Sequence, residues 1–157
     1  MKCVVISDNF RKALSLTERS VGKDTTIPIL NSFLISAESG VVKITTTNLE
    51  VGIETIIRGT IVEQGSVVIP SKTLSQFIGT IQKDEKISLD SKKEDLIVSA
   101  QSQKTTFKGN SPDDFPPFPT VKELYKFTLK KSELLPVIVK TTTALAKNTI
   151  KPELAST

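Results

Sequence analysis

An internal repeat constrains the fold of this 157-residue chain more than any other sequence feature. When residue 1 is aligned with residue 125, positions 1–33 match positions 125–157 without a gap, and the apolar positions coincide. The identical pairs are Lys2/Lys126, Thr17/Thr141, Lys23/Lys147, Thr25/Thr149, Pro28/Pro152, Leu30/Leu154 and Ser32/Ser156. Self-similarity at a fixed offset indicates that one structural unit occurs twice.

Each copy predicts a short strand, a helix, and a loop that carries a Pro-x-Leu segment into a second strand. In the first copy we expect Asp8 to cap the helix and Gly22 to end it. The predicted buried face consists of Phe10, Ala13, Leu14, Thr17 and Val21. In the second copy Ser132 is the predicted cap, and Leu135, Ile138, Thr142 and Leu145 repeat the apolar face at helical spacing.

The chain between the copies is predicted to consist mostly of strands, at 30–37, 41–47, 51–58, 66–69, 86–90, 95–100 and 103–108. One more helix is expected over 71–82, where Leu74, Phe77, Ile78 and Ile81 follow the breaker Pro70. The prediction is an α+β fold with two helices packed on antiparallel sheets. Residues 1–121 form the first domain and residues 122–157 begin a second copy. That second part cannot bury its apolar face alone, so we expect the natural protein to continue.

The residue types exclude most enzyme classes. The chain has no histidine, and its seven glycines are dispersed rather than grouped in a phosphate-binding loop. The pair Asp113-Asp114 lies beside prolines, which suits a turn better than a metal cluster, and Cys3 is predicted to be a small buried hydrophobe. We therefore expect no catalytic residues, no metal and no cofactor. A membrane span and a signal peptide are absent from the sequence, so the expected compartment is the cytoplasm.

The positive charge is unevenly distributed. Residues 125–157 contain six lysines and two glutamates, whereas the preceding residues carry equal numbers of basic and acidic groups. Arg11, Lys12 and Arg19 are predicted on the polar face of the first helix, and Lys72 on that of the second. Such side chains can bind phosphates without reading sequence, and the scarcity of aromatic residues argues against stacking on single strands. Ordinary solvated helix faces remain the alternative.

Several short segments carry a family resemblance. They are Thr26-Ile27-Pro28-Ile29-Leu30, Thr46-Thr47-Asn48-Leu49-Glu50, Val68-Ile69-Pro70 and Asp114-Phe115-Pro116. In this order and spacing they resemble the bacterial DNA polymerase III beta subunit, specifically its first domain and the start of its second. The resemblance implies a DNA-clamp fold and a sliding clamp without catalytic activity.

In that family two subunits form a closed homodimeric ring around double-stranded DNA, with the helices lining the channel. DNA polymerase and the clamp loader bind a pocket between the second and third domains, a part that this sequence does not include. The function implied for the complete protein is processivity of the replicative polymerase. A stand-alone protein-interaction domain without DNA binding is the alternative, and an enzyme that requires Mg²⁺ is a further one without support in the residues.

The resemblance also suggests individual site residues. We expect DNA contacts at Arg19, Lys23, Lys72, Lys147, Asn148 and Lys151. Asp24 stands where the family often has arginine, which shifts the expected contact to Lys23, and Asn48 stands where the family usually has aspartate. The subunit interface is expected at Phe77, Ile81 and Thr105, although Phe77 and Ile81 also lie on the predicted core face of their helix.

Overall fold

A computed structural model describes residues 1–22, 27–101, 103–118, 122 and 124–145. The chain divides into two compact units, Met1–Pro119 and Thr120–Thr157. In the described residues of the first unit there are two α-helices, α1 (Ser7–Thr17) and α2 (Ser71–Thr80), and nine strands. The strands are β1 (Lys2–Ile6), β2 (Ser32–Glu38), β3 (Val41–Thr47), β4 (Gly52–Arg58), β5 (Thr60–Glu63), β6 (Gly65–Pro70), β7 (Lys86–Lys92), β8 (Asp95–Ser99) and β9 (Lys104–Phe107).

The strands form two antiparallel sheets, and each sheet includes a strand from the other half of the unit. One sheet has the order β5-β1-β7-β8-β9 and the other β4-β3-β2-β6. Strand β1 leads into α1 but pairs with β7, which follows α2; strand β6 leads into α2 but pairs with β2, which follows α1. Neither half can therefore complete its sheet alone. The predicted α+β class, with helices packed on antiparallel sheets, is confirmed.

Alternate strand residues and one face of each helix form a single apolar core. Val42 and Ile44 of β3 and Ile87 and Leu89 of β7 are fully buried, as strand periodicity requires. The helices add Phe10, Ala13, Leu14, Leu74 and Ile78 to the same cluster. Burying a side chain of this size contributes roughly 1.5–3 kcal/mol, so this core is the main source of the unit's stability.

Strand β5 is the element that the sequence analysis missed. Only Gly59 separates it from β4, and no turn signal marks the corner between them. A Cβ at Gly59 would lie 3.1 Å from the carbonyl oxygen of Val4 and 3.1 Å from the Val5 side chain. Glycine thus lets the chain pass this close to β1, where a side chain would force its neighbours to shift, as it turns from one sheet into the other.

The start of α1 also differs from the prediction. Asp8 is not the cap, because the N-cap residue is Ile6 and Asp8 lies in the first turn. The Asp8 carboxylate instead forms an ion pair with Arg11, one turn later in the helix, at 3.1 Å. The helix ends earlier than predicted, and Glu18–Ser20 form a 3-10 turn that precedes the extended Val21.

In the second unit the helix predicted from the repeat is confirmed, and the strand predicted before it is wrong. Helix α3 spans Lys131–Thr142 and begins at the residue aligned with Ser7 of α1. Residues 125–130 are irregular, because a strand forms only when a neighbouring strand completes its hydrogen bonds. Ser132 lies inside the helix rather than at its cap, which is Lys130. Leu135 and Ile138 are exposed, and the predicted Pro152-x-Leu154 loop lies outside the described residues.

Candidate nucleic-acid interface

Helices α1 and α2 lie beside each other and share a polar outer surface. Their apolar residues face the core, and the exposed positions on the other side include Lys12 and Arg19 near α1 and Lys72 and Gln76 on α2. We call Lys12, Arg19, Lys72 and Gln76 the basic helix face. Three of its four members are cationic, so the surface is suited to anionic partners.

Arg11 joins the two helices instead of contributing to this face. Its Nη1 donates to the Asp8 carboxylate at 3.1 Å, and its Nη2 donates to the carbonyl oxygen of Ile78 at 3.1 Å. The same Nη2 also donates to the carbonyl oxygen of Ile81. These carbonyls lie at the end of α2, where the helix dipole favours a cation, and that of Ile78 also accepts from the backbone N–H of Ile81 at 3.3 Å. The sequence prediction that Arg11 belongs to the solvated polar face is wrong for this reason.

Ser7 connects the start of α1 to the segment that follows α2. Its hydroxyl donates to the carbonyl oxygen of Gln82 at 2.7 Å and accepts from the backbone N–H of Glu85 at 3.1 Å. Ser7 is fully buried. Without these two hydrogen bonds its hydroxyl would lose contact with water and gain nothing in return, which would destabilise the fold. The start of α1 is thereby fixed to the segment that follows α2.

A buried hydrogen-bond chain fixes the backbone that carries Arg19. The Thr46 hydroxyl donates to the carbonyl oxygen of Thr17 at 2.6 Å, and the Ser20 and Thr46 hydroxyls are 2.6 Å apart. Thr17 in turn donates to the carbonyl oxygen of Ala13 at 2.9 Å. Because Thr17 and Ser20 flank the turn, the exposed Arg19 between them is held on a rigid support.

Lys72 is exposed in the first turn of α2, where the helix dipole disfavours a cation. The preceding Ser71 fixes this turn, since its hydroxyl donates to the carbonyl oxygen of Asn31 at 2.7 Å. A lysine here does not stabilise the helix. Its charge can therefore bind an external anion, whereas without such an anion it slightly destabilises α2.

The cations of the basic helix face lack ion-pair partners within the described part of the chain. The salt bridges there are Arg11–Asp8, Lys43–Glu38, Lys108–Asp95 and Lys130–Glu133. None of them includes Lys12, Arg19 or Lys72. These three cations are therefore free of ion pairs within the described residues, although the exposed Glu18 lies next to Arg19.

Four of the predicted DNA-binding residues lie outside the described residues: Lys23, Lys147, Asn148 and Lys151. Ile81 follows α2 and is 4% exposed within the core, which favours a packing role, whereas Phe77 and Thr105 are half-buried. The Phe77 ring packs edge-on against Phe107 with centroids 5.5 Å apart. The assignment of Phe77, Ile81 and Thr105 to a subunit interface stays a prediction.

No group of three or more His, Cys, Asp or Glu side chains among the described residues could hold a metal ion. None of the described helices has the length and apolar content needed to cross a membrane.

Comparison with known proteins identifies the family. Residues 1–119 match the family model of the DNA polymerase III beta subunit, N-terminal domain. The chain belongs to the DNA polymerase III beta subunit family. Among curated relatives, the beta sliding clamp of Staphylococcus aureus is 30% identical over 163 residues, an alignment that covers 98% of this chain and 43% of that protein. The beta sliding clamp of Synechococcus elongatus is 26% identical over 137 residues, covering 86% and 36%.

Solved structures of DNA polymerase III beta subunits share the fold. The Pseudomonas aeruginosa subunit superposes with a TM-score of 0.89 at 23% identity, covering 98% of this chain and 42% of that one. The Caulobacter crescentus subunit superposes with a TM-score of 0.87 at 24% identity, covering 94% and 40%. The chain therefore spans about two fifths of the length of the beta subunits that it matches.

Proposed function

We propose that this chain is the amino-terminal part of a sliding clamp, a non-catalytic ring that encircles duplex DNA and confers processivity on the replicative DNA polymerase in the cytoplasm. The match of residues 1–119 to the beta subunit's N-terminal domain carries this proposal. In it, residues 1–121 are the first clamp domain and residues 122–157 begin the second.

The basic helix face supports a DNA-facing role for α1 and α2. A clamp must slide, so its contacts should be weak, indifferent to base sequence and directed at phosphates. Exposed lysine and arginine side chains on rigid helices meet these requirements, because each neutralises a phosphate without fitting a base edge. We assign this role to Arg19 and Lys72, and to Lys23, Lys147, Asn148 and Lys151 in the two loops of the repeat.

The partners of the complete protein follow from the same proposal. We infer a homodimeric ring, with Phe77, Ile81 and Thr105 at the subunit contact, and binding of the polymerase and the clamp loader elsewhere on the ring. The half-buried Phe77 and Thr105 are compatible with a surface that another subunit covers. Topological enclosure, rather than affinity, would then keep the polymerase on its template.

The test is fluorescence anisotropy of a labelled duplex across a salt series. Replacement of Arg19 and Lys72 by alanine should weaken binding and reduce the salt slope by roughly 1 for each phosphate that the variant no longer neutralises. The pair Lys147→Ala and Lys151→Ala should act in the same way. Two substitutions on the β7–β8 turn, Lys92→Ala and Lys93→Ala, remove the same charge from the exposed end of a sheet and serve as the matched control.

The outcomes separate the clamp from the alternative. If the helix-face and turn variants lower the salt slope equally, the protein binds DNA through its net charge and the channel assignment is wrong. If the native chain shows no salt-dependent binding of duplex DNA at all, a protein-interaction domain without DNA binding is the better description.

A further inference from the structure

A groove lies where the chain turns from β4 into β5 and passes over β1. It has a volume of about 570 Å³, and its lining includes Val4, Ile6, Arg58, Gly59, Thr60 and Lys86. We call it the corner groove. It is formed by residues of the first unit alone, and it is separate from the basic helix face.

Strand registers explain which side chains meet in the corner groove. Val4 is paired with Thr60 of β5, and Ile6 is paired with Lys86 of β7. Val4 and Ile6 are two residues apart on one strand, so their side chains lie on the same face of the sheet. Both are half-buried, although they face away from the apolar core that contains Cys3 and Val5. They form an apolar floor that is open to the outside.

Two cations border this floor. Arg58 ends β4 and Lys86 begins β7, and both are exposed. Neither forms a salt bridge with any residue that the structure describes. Of the carboxylates near the groove, Asp8 pairs with Arg11 and Glu85 accepts from the backbone N–H of Gln101, whereas Asp90, on the same face of β7 as Lys86, lies four residues further along the strand. The lining named above contains no acidic residue, so the groove combines an apolar floor with an uncompensated positive rim.

We propose that the corner groove is a docking site for an acidic peptide segment of a protein partner, with an aliphatic side chain placed on Val4 and Ile6 and carboxylates beside Arg58 and Lys86. Charge complementarity selects an anionic partner. The apolar floor selects a peptide over nucleic acid, because a phosphate backbone has no group that gains from covering Val4 and Ile6. The volume lies within the usual range for ligand sites.

The test uses the whole 157-residue chain labelled with ¹⁵N and an eight-residue peptide of alternating glutamate and leucine. Amide shifts should move together at Val4, Ile6, Gly59 and Thr60 as the peptide is added. A glutamate–serine peptide of the same length tests the apolar floor, and a lysine–leucine peptide tests the charge. Both should bind more weakly than the glutamate–leucine peptide.

Variants make the assignment specific. Arg58→Ala and Lys86→Ala should each weaken peptide binding about two- to fivefold, the range expected for exposed ion pairs. Val4→Thr preserves side-chain shape and strand preference but removes apolar surface, and it should also weaken binding. Lys92→Ala removes a lysine six residues further along β7, on the same face as Lys86, and should have no effect.

Three results would overturn the proposal. The first is a set of peptide-induced shifts scattered over the basic surface of the protein. The second is an equal reduction of affinity in the Lys92 and Lys86 variants. The third is a short DNA duplex that moves the same groove resonances while the peptide moves none. Since these measurements do not involve the salt slope of the helix-face variants, they can fail or succeed independently of the clamp function.

Discussion

The Arg11 guanidinium of α1 donates a hydrogen bond of 3.1 Å from Nη2 to the carbonyl oxygen of Ile78 in α2. A cation on the first helix thus binds the carbonyl end of the second. The two helices of the proposed DNA-facing surface are joined by this hydrogen bond, so its removal should affect both the stability of the unit and the spacing of the basic helix face.

We expect Arg11→Met to destabilise the first unit by about 1.5–3 kcal/mol, the range for hydrogen bonds to charged groups. Methionine retains much of the side-chain length but cannot donate to Ile78 or Ile81. The control is Lys12→Met, an exposed neighbour whose replacement should change stability by no more than about 0.5 kcal/mol. Urea unfolding followed by circular dichroism measures both. Equal midpoints for the two variants would show that Arg11 does not join the helices in solution.

The buried Thr46 hydroxyl should be important for the support of Arg19. Thr46→Val keeps the shape of the side chain but removes the 2.6 Å donor to the Thr17 carbonyl and leaves the Ser20 hydroxyl with only the carbonyl oxygens of Thr17 and Thr46, each 3.4 Å away, which costs about 1–3 kcal/mol. Faster amide hydrogen exchange is expected at Glu18–Ser20. Thr106→Val, at an exposed position of β9, is the matched control and should leave exchange in this turn unchanged. Unaltered exchange in the Thr46 variant would contradict the role of the hydrogen-bond chain.

The Asn48 side chain stabilises the turn between β3 and β4 by accepting backbone hydrogen bonds, which an aspartate carboxylate could also accept. Its Oδ1 accepts from the backbone N–H groups of Glu50 at 3.0 Å and Val51 at 2.7 Å, while Leu49 adopts a positive φ of 74°. We expect Asn48→Asp to retain stability and Asn48→Ala to reduce it by about 0.5–1.5 kcal/mol. Thermal unfolding of the two variants measures this difference. A larger reduction for aspartate than for alanine would mean that the amide nitrogen, not Oδ1, is the important group.

The sequence correctly predicts elements that depend on neighbouring residues. It fails for elements whose formation depends on residues far away in the chain. Strand β3 has the bounds that the sequence predicts, and α2 begins at the predicted residue after Pro70, because both signals are local in the sequence. The strand expected over 125–130 has the same alternation but is not formed. Its hydrogen bonds depend on a neighbouring strand, which no local pattern can report.

The candidate site shows the same division. The exposure of Lys72 follows from helical periodicity, and Arg19 is exposed as predicted although it lies in the 3-10 turn after α1. The role of Arg11 was not, since its acceptors lie 67 and 70 residues away in sequence. The corner groove was also missed, because β5 had no sequence signal and its lining comes from four different strands and the Gly59 corner.

The buried Cys3 thiol should make the stability of the first unit depend on pH above neutrality. Burial raises the pKa of Cys3 from its ordinary 9.0 to about 11, partly opposed by the positive N-terminus. Between these values the unfolded chain releases the thiol proton while the folded chain keeps it. The contribution of the buried thiol is therefore complete below pH 9 and disappears as the pH rises through about 11.

We expect the free energy of unfolding to fall between pH 9 and 11 in the native chain and to fall less steeply in Cys3→Ala. The residual slope in that variant has a second source, because the hydrogen bond with Glu38 and the charges of Glu38 and Glu54 raise the pKa of Lys43, whose contribution also disappears at high pH. Urea unfolding at intervals from about pH 8 to 11 measures the two slopes, and Lys43→Gln separates the second source. Parallel curves for the native chain and Cys3→Ala would show that the thiol ionises as readily in the folded state as in the unfolded one.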